Sequence, residues 1–472
     1  MKILLTGATG YIGKRLLPVL LENGHQVVCC VRDKNRFDVQ DTHSSSLQVI
    51  EVDFLKPDTL QSIPSDIDAA YYLIHSMAST TKDFSILERE SAENFRDYIR
   101  KTHVKQVIYL SGIVNNKELS KHLSSRKAIE QILSEGNFHL TTLRAGIIVG
   151  SGSASFEIIR DLVEKLPVMV APRWLNTKTQ PIAIKNVIQF LSGVLADEET
   201  FDKSLDIGGP EILTYKQMLL KFARVRGLKR RIFVIPVMTP KLSSYWLYFI
   251  TSTSYKLAVN LVNSMKIEVV GRKNKLAERL NIQLLTYEEA VSKAFDRIEH
   301  HKVVSSWTDA QSSNLLSNGV SNLVEVPVFG CVSDRRSMPV RNEQHTLDKI
   351  WAIGGDKGWY YANWLWAIRG FLDKLVGGVG LRRGRKNPAE LNVGDALDFW
   401  RVIHADKTGK RLLLFAEMKL PGEAWLEFNI ENGKLHQTAT FRPLGLWGRV
   451  YWLLVLPFHG IIFRGLLRRL VN

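Results

Sequence analysis

Three glycines after the first apolar segment constrain this chain more than any other feature. Residues 2–6 (KILLT) suit one buried strand, and beyond Gly7, Gly10 and Gly13 the residues 11–23 have the periodicity of an amphipathic helix. This order predicts a nucleotide site, because the unpaired N–H groups and the macrodipole of a helix start attract a pyrophosphate. A tight turn in an ordinary α/β domain is the alternative. The residues predicted to contact the nucleotide here are Gly7, Thr9, Gly10, Tyr11, Ile12 and Gly13.

A basic segment after the second strand bears on which dinucleotide is bound. Residues 26–31 (QVVCCV) form that strand, and Arg32 follows it directly. An arginine here pairs with the 2′-phosphate of NADP, whereas an acidic residue accepts the 2′-hydroxyl of NAD. Asp33 leaves the choice open, but Arg32 with Lys34 and Arg36 favours NADP, with NAD as the alternative cofactor. A solvated basic loop is the other interpretation.

An acidic and an aromatic residue follow the third strand, residues 47–52 (LQVIEV). Asp53 is expected to accept from the adenine amino group, and Phe54 to support the adenine ring. Alternatively, Asp53 caps a helix that begins near Pro57.

Strand and helix patterns continue to alternate along the chain, which requires a parallel, doubly wound sheet of the α/β class. The further strands are predicted at residues 69–74, 106–110 and 140–144. Ligands of such sheets bind at the carboxyl ends of the strands. The residues predicted to contact the cofactor there are Ile74, His75, Ser111 and Arg144.

The turn GATGYIG, the acid after strand three, Ser111 and the helix beyond it resemble the atypical extended short-chain dehydrogenase/reductase proteins. The likeness is greatest to the isomerase-like and NADPH-sensor branches, including relatives of the complex I accessory subunit, and it covers residues 1–300. It implies a bound NAD(P). In active members of that family a tyrosine exchanges the proton, a lysine lowers its pKa, and a serine positions the substrate oxygen.

The catalytic helix departs from the family pattern. Ser111 matches the serine, but His122 and Arg126 (HLSSR) stand where the family has Tyr-x-x-x-Lys. Histidine can move a proton near neutral pH, whereas arginine can hold a ribose hydroxyl but cannot lose its proton. We therefore predict catalysis by Ser111, His122, Arg126 and His75 without a tyrosinate, or, for His122, a half-exposed residue near a helix start.

Beyond strand six, residues 145–156 are rich in glycine and serine and are expected to wrap the nicotinamide end. Four large apolar side chains are predicted either to line a substrate pocket or to belong to the core. They are Phe156, Met169, Trp174 and Trp246.

The composition changes sharply near residue 300, so we predict an NAD(P)-binding domain at 1–300, a serine- and asparagine-rich linker at 301–324 and a second domain at 325–472. The second domain has the predicted order of a strand at 325–331, two helical segments, four strand-like segments and a helix at 446–470. This order resembles the helix-grip fold of the START-like and polyketide-cyclase superfamily, which implies an α+β domain with an apolar ligand cavity.

Two charged groups in the second domain each have two interpretations. A glycine-rich loop with Arg382, Arg383, Arg385 and Lys386 predicts an anion site or a solvated loop. Charged residues on predicted strands indicate a core ion-pair network or a binding site. They include Asp398, Arg401, Glu417, Lys419, Glu423 and His436.

The composition limits the partners. The formal net charge of +16 suits phosphate ligands or an acidic membrane surface, but no aromatic and basic interleaving indicates nucleic acid. No residues have metal-ligand spacing, and three cysteines cannot form a disulfide framework, which favours a cytoplasmic location. The apolar run at 450–463 is too short to cross a membrane comfortably, so we expect at most peripheral membrane contact.

These patterns predict an NADP(H)-dependent oxidoreductase or isomerase that acts on a small carbonyl or apolar compound, with an apolar ligand in the second domain. The alternative is a cofactor-binding sensor or scaffold without chemistry, which the missing Tyr-x-x-x-Lys pair favours.

Overall fold

The computed structural model forms two compact units. It describes residues 1–32, 34, 37, 45–74, 84–114, 121–235, 259, 262–299, 326, 331–376, 378, 380, 390–443 and 445–472. We call the described residues up to 299 unit 1 and those from 326 onward unit 2. The linker predicted at 301–324 lies outside the described residues.

Unit 1 is an α/β unit whose helices alternate with its strands. Its strands are β1 (Lys2–Thr6), β2 (Gln26–Val31), β3 (Leu47–Glu51), β4 (Ala69–Tyr72), β5 (Gln106–Gly112), β6 (His139–Ala145), β7 (Ile148–Val149), β8 (Val168–Pro172), β9 (Lys178–Thr179), β10 (Ile182–Ala183), β11 (Lys203–Ile207), β12 (Leu213–Thr214) and β13 (Arg231–Ile235). Its helices are α1 (Gly13–Glu22), α2 (Phe84–Ile99), α3 (Lys121–Ser134), α4 (Ala154–Lys165), α5 (Ile184–Gly193), α6 (Tyr215–Val225), α7 (Leu276–Arg279) and α8 (Tyr287–Glu299).

Seven of these strands form one parallel sheet in the order β11-β6-β5-β4-β1-β2-β3. Helices α1 and α5 cover one face, and α2 and α3 cover the other, each with its own apolar cluster. The predicted parallel, doubly wound sheet is confirmed, and the six predicted strands end within two residues of the observed ones. The chain order reverses between β1 and β4, which is where such sheets bind ligands.

Three aromatic rings pack the helices α4, α6 and α8 of unit 1 against one another. Phe156 of α4 packs 5.5 Å from Phe222 of α6 and 5.4 Å from Phe295 of α8. Met169 and Trp174 are buried as well, so the core interpretation of these side chains is correct. Trp246 lies outside the described residues.

Unit 2 is an antiparallel sheet with three helices. Its strands are β14 (Val332–Pro339), β15 (Ala396–Leu397), β16 (Trp400–Asp406), β17 (Arg411–Ala416), β18 (Gly422–Glu431) and β19 (Lys434–Pro443), and its helices are α9 (Glu343–Trp351), α10 (Asn363–Leu375) and α11 (Gly445–Val471). The sheet order is β14-β19-β18-β17-β16-β15. Most of the strand predicted at 325–331 lies outside the described residues, and the first described strand of this unit is β14.

Helix α11 packs against this sheet through Phe463, Leu466, Leu467 and Leu470. It approaches its neighbours most closely at two glycines. A Cβ on Gly448 would overlap the carbonyl of Pro421, and a Cβ on Gly465 would overlap the ring of Tyr361.

The charged strand residues of unit 2 include a buried ion pair. Arg401 donates from Nε and Nη2 to the two carboxylate oxygens of Glu417 at 3.0 and 3.1 Å, and from Nη1 to the carbonyl of Gly394 at 2.7 Å. The core-network interpretation therefore holds for this pair. The basic loop at 382–386 lies outside the described residues.

Candidate cofactor site

The turn after β1 has a backbone that only glycine fits. Gly7 has a φ of +66°, and a Cβ there would lie 2.7 Å from the carbonyl oxygen of Leu73. A Cβ on Gly13 would overlap the carbonyl of Gly7, so α1 can begin close to β1 only because this residue is glycine. The turn therefore lies directly against the end of β4.

The start of α1 leaves an electropositive end toward this turn. Ile12 is the N-cap residue, and no side chain caps the helix or places an acidic group in its first turn. Gly10 N–H donates to Gly7 at 2.9 Å, which closes the turn. The half-buried residues Thr9 and Tyr11 lie in it as well. An uncapped helix start beside a closely packed turn fits a diphosphate.

Arg15 joins the turn to a second segment, and sequence reasoning missed it. Its Nη1 donates to the carbonyl of Tyr11 at 2.9 Å, and its Nη2 donates to the carbonyl of Ser151 at 2.9 Å. The guanidinium also lies 3.9 Å from the centre of the Tyr11 ring. The glycine- and serine-rich segment is thus held beside the turn. The spacing of four residues from Tyr11 to Arg15 is the only sequence signal for this contact.

Thr6 links the turn to the end of β4. Its buried hydroxyl donates to the carbonyl of Tyr71 at 2.9 Å and accepts from the N–H of Leu73 at 3.1 Å. Ile74 follows and is half-buried. His75 lies outside the described residues, so its predicted catalytic and cofactor roles stay predictions.

The cation predicted to read the adenosine ribose is accessible. Arg32 is exposed at the carboxyl end of β2, and Lys34 is exposed nearby. Asp33 and Arg36 lie outside the described residues.

The two residues after β3 behave differently from one another. Asp53 accepts through Oδ1 from the N–H of Leu55 at 3.1 Å, a local turn contact, and the short helix from Pro57 has no side-chain cap. Phe54 is buried, and its ring centre lies 5.6 Å from that of Phe95. Phe54 therefore belongs to the core beneath α2, and the expectation that it supports the adenine ring stays a prediction.

Ser111 lies buried at the end of β5, where its Oγ is close to the hydroxyl of Tyr109 but makes no well-aligned hydrogen bond among the described residues. Beside it, the hydroxyl of Tyr109 donates to the main-chain carbonyl of Arg126 at 3.4 Å. Burial raises the pKa of Tyr109 to about 12, although the Arg126 cation and contact with Ser111 oppose that rise. Tyr109 is thus protonated at neutral pH and can donate a hydrogen bond but cannot act as a base.

Helix α3 brings further groups to this end of the sheet. Arg126 is half-buried, and Ser125 donates to the buried Glu88 of α2 at 2.6 Å. His122 lies in α3, but its side chain is outside what the structure describes. The structure therefore brings together Ser111 and Arg126, and sequence reasoning missed Tyr109 and Glu88, whose polar ends are revealed only by the packing of α2 and α3.

Arg144 serves a different purpose from the one predicted. It donates from Nε and Nη2 to both carboxylate oxygens of Glu130 on α3, at 3.1 and 2.6 Å. This bidentate pair engages the guanidinium and joins α3 to β6. The cofactor contact expected for Arg144 stays a prediction and would compete with this pair.

No group of three or more His, Cys, Asp or Glu side chains that could hold a metal occurs in the part of the chain that the structure describes.

Two family models match parts of the chain. Residues 7–155 match a family described as NAD(P)H-binding. Residues 332–466 match a family described as proteins of unknown function (DUF2867). The first match spans the glycine turn, β5 and α3. Unit 1 is accordingly an NAD(P)H-binding domain of the Rossmann type.

Curated relatives match the chain at low identity. The divinyl chlorophyllide a 8-vinyl-reductase of Arabidopsis thaliana is 22% identical over 44% of this chain, and the chain spans only 54% of that protein. The photosystem II assembly factor Ycf39 of Synechocystis is 21% identical over 50% of this chain and 71% of its own length. One of these relatives is named as an enzyme and the other as an assembly factor.

Solved structures show the same fold. The triphenylmethane reductase of Citrobacter complexed with NADP(H) superposes with a TM-score of 0.52 at 16% identity, over 62% of this chain and 100% of that one. A nucleoside-diphosphate-sugar epimerase from Staphylococcus aureus superposes with a TM-score of 0.51 at 14% identity, again over 62% of this chain and 100% of that one. At these identities the likeness concerns the fold alone.

Proposed function

We propose that unit 1 is an NADP(H)-dependent oxidoreductase or isomerase of the atypical short-chain dehydrogenase/reductase type, acting on a small carbonyl or apolar conjugated compound. The observation that supports it most is the buried Ser111 Oγ, which has no well-aligned hydrogen bond among the described residues and lies near the switch point of an NAD(P)H-binding sheet. A buried hydroxyl whose hydrogen bonding is incomplete costs up to about 1–3 kcal/mol, so a substrate oxygen that pairs with it would recover that free energy.

The residues of the chain have separate tasks in this proposal. The uncapped start of α1 and the Gly7 turn hold the diphosphate, and Arg32 pairs with the 2′-phosphate. When bound, the nicotinamide accepts or supplies the hydride. Ser111 orients the substrate oxygen, Arg126 holds a ribose hydroxyl, and His122 or His75 moves the proton.

The second candidate is a non-catalytic NADP(H)-dependent sensor or scaffold. Two observations favour it: the absence of the Tyr-x-x-x-Lys pair from residues 122–126 and the assembly-factor name of the Synechocystis relative.

One experiment separates the two candidates. The full chain is titrated with NADPH and NADH, and the loss of reduced cofactor is then followed with a panel of quinones, aldehydes and conjugated carbonyls. Binding with turnover of at least one class supports the enzyme. Binding without turnover across the panel supports the sensor, and no binding of either cofactor contradicts both.

We also infer that unit 2 has the helix-grip topology. The inference is supported by its element order of one strand, two helices, a run of antiparallel strands and a long terminal helix packed on the sheet.

A further inference from the structure

Unit 2 contains a cavity of about 280 Å³ between its sheet and the helices α10 and α11. The cavity is partly open to the outside. Nearly all of its wall is aliphatic or aromatic, with Arg369, Thr440 and His459 among the polar residues. The apolar wall includes Trp366, Leu372, Trp400, Ala439, Trp452 and Phe463.

The polar atoms in the wall define what can enter. The ring of His459 lies 5.0 Å from that of Trp452 and 4.8 Å from that of Phe463, and its Nδ1 is buried with no hydrogen-bond partner among the described residues. Burial lowers the pKa of His459 to about 4, so the ring is neutral near pH 7. The indole N–H groups of three tryptophans in the wall lack a partner as well. Carbon makes up nearly all of the remaining wall, so an occupant is apolar over most of the part that enters.

The outer surface of the same two helices is also apolar. All thirteen exposed large hydrophobic residues in the described part of unit 2 lie at positions 364–376 and 447–461. Ile368, Leu372 and Phe458 are about half exposed and also line the cavity. The surface and the cavity wall are thus continuous. The most exposed members are Trp364, Phe371, Trp447, Leu453, Leu454 and Ile461.

The charges of α11 select an anionic environment. The helix has no Asp or Glu, and its four arginines are exposed: Arg449, Arg464, Arg468 and Arg469. A helix with basic residues, exposed tryptophans and an apolar side is typical of attachment to an acidic lipid surface. A soluble protein partner of ordinary composition has no need of so extended an apolar face.

The packing of α11 against the sheet favours a helix that lies on the membrane over a helix that crosses it. Trp447–Val471 is long and apolar enough to span a bilayer by length and composition, with a mean hydropathy of 1.6, which the sequence pattern did not predict. However, Leu466, Leu467 and Leu470 are buried against the sheet. A helix with one side in a protein core lies along the surface of that core.

We propose that unit 2 docks on an anionic bilayer through the exposed sides of α10 and α11 and takes one hydrocarbon chain of a membrane lipid into the cavity between them. Ile368, Leu372 and Phe458 belong both to the exposed apolar surface and to the cavity wall. The hydrocarbon chain can therefore pass from the bilayer into the cavity without contact with water. Arg369, which is half-buried in the wall, faces the charged or polar head of that lipid. The proposal is independent of any reaction in unit 1.

Sedimentation with vesicles tests the docking step. The full chain is mixed with phosphatidylcholine vesicles that contain or lack phosphatidylglycerol. We expect at least tenfold more protein on the anionic vesicles, and a loss of at least tenfold in the variant that combines Leu453→Glu and Leu454→Glu. The matched control is Ile86→Glu, an exposed residue on helix α2 of unit 1, which leaves binding unchanged. Arg464→Gln with Arg468→Gln removes the preference for the anionic vesicles.

Lipid analysis tests the cavity. After incubation and removal of the vesicles, phospholipid that stays with the protein is quantified by mass spectrometry. We expect about one lipid per chain, lost in Ala439→Phe, which fills the cavity, and in Ala424→Leu as a second such variant. Circular dichroism verifies folding, and vesicle binding by both variants shows that the docking surface is intact.

Three results would overturn the proposal. The first is that the protein stays in solution with both vesicle types. The second is that alkaline carbonate fails to release it from vesicles, which would mean that the helix spans the bilayer. The third is that the protein binds vesicles but retains no lipid afterwards. Retention of lipid by Ala439→Phe and Ala424→Leu alike would contradict the assignment of the cavity.

Discussion

The glycine turn depends on single residues whose replacement has distinct effects. Replacement of Gly7 by Ala places a Cβ 2.7 Å from the carbonyl of Leu73 at a φ of +66°. We expect the Kd for NADPH to rise at least tenfold, because the turn must move away from the start of α1. Isothermal titration calorimetry gives the affinity.

Gly24→Ala is the control for backbone strain. Gly24 has a similar φ of +78° but no atom within 4 Å of its Cβ position. This variant loses about 1 kcal/mol of unfolding free energy and keeps its affinity for NADPH. Equal loss of affinity in the two variants would contradict the role of the turn.

The incompletely hydrogen-bonded hydroxyl of Ser111 leads to opposite effects on stability and turnover. Ser111→Ala removes a buried hydroxyl that has no well-aligned partner, so the free energy of unfolding stays equal or rises by up to about 1–3 kcal/mol. Turnover of NADPH with an accepted substrate falls about a hundredfold.

Thr142→Val is the matched variant, since Thr142 Oγ1 is also buried without a partner but lies beside Tyr109 in the sheet register rather than at its end. Turnover in Thr142→Val stays unchanged. A fall in both variants would mean that the loss comes from packing.

The proposed role of Arg32 in the choice of dinucleotide can be tested directly. Arg32→Ala removes a charge-assisted contact worth about 1.5–3 kcal/mol, so the Kd for NADPH rises about tenfold or more while that for NADH stays constant. Arg231→Ala, which removes another exposed arginine, on β13, changes neither Kd. An equal change for both cofactors in Arg32→Ala would contradict the assignment.

The sequence predicted the residues whose function depends on neighbours along the chain. The glycines belong to this class, because the turn, the helix start and the strand are contiguous. Arg15, Phe54 and Arg144 do not, since their roles depend on Ser151, Phe95 and Glu130, which the fold brings near from distant positions. A single sequence shows the side chain but not the partner that occupies it.

Among the elements, α11 contributes a pH dependence to the stability of unit 2. The pKa of His459 is about 4 in the folded unit, below its ordinary value of 6.5, because burial disfavours the charged ring, with Arg336 adding to this and Asp334 opposing it. Between these values the unfolded chain binds a proton that the folded unit does not. The contribution of His459 to the free energy of unfolding is therefore fully present above pH 6.5. It falls by up to about 3 kcal/mol as the pH drops to 4.

Urea unfolding of unit 2, followed by hydrogen exchange in α11, measures this slope. His459→Phe keeps an aromatic ring and removes the proton site, so the decline between pH 6.5 and 4 is smaller by that amount. The same slope in the variant and the parent would show that other groups cause it.

Elements with a marked hydrophobic period were predicted well, and those without it were not. The central strands β1, β2 and β4 of unit 1 are nearly continuous apolar runs, as buried parallel strands require. By contrast, β14 (VSDRRSMP) is polar and only half-buried at alternate positions, because it is an edge strand paired with β19 alone. Its identity as a strand depends on that partner, about a hundred residues further along the chain.

At the scale of the whole molecule, the two units have separate cores. The apolar clusters of the described residues fall either in unit 1 or in unit 2, and none includes residues of both. We expect two thermal transitions in calorimetry. NADPH at a hundred times its Kd stabilises unit 1 by about 2.7 kcal/mol and leaves the other transition in place. A single transition that shifts as a whole would contradict this expectation.

The close approaches of Gly448 to Pro421 and of Gly465 to Tyr361 fix α11 against rolling about its own axis. Leu453 and Leu454 therefore stay exposed as long as those two contacts persist. The helix cannot rotate to bury them when lipid is absent. Purified protein without lipid should then self-associate as its concentration rises, and added detergent or vesicles should disperse those assemblies.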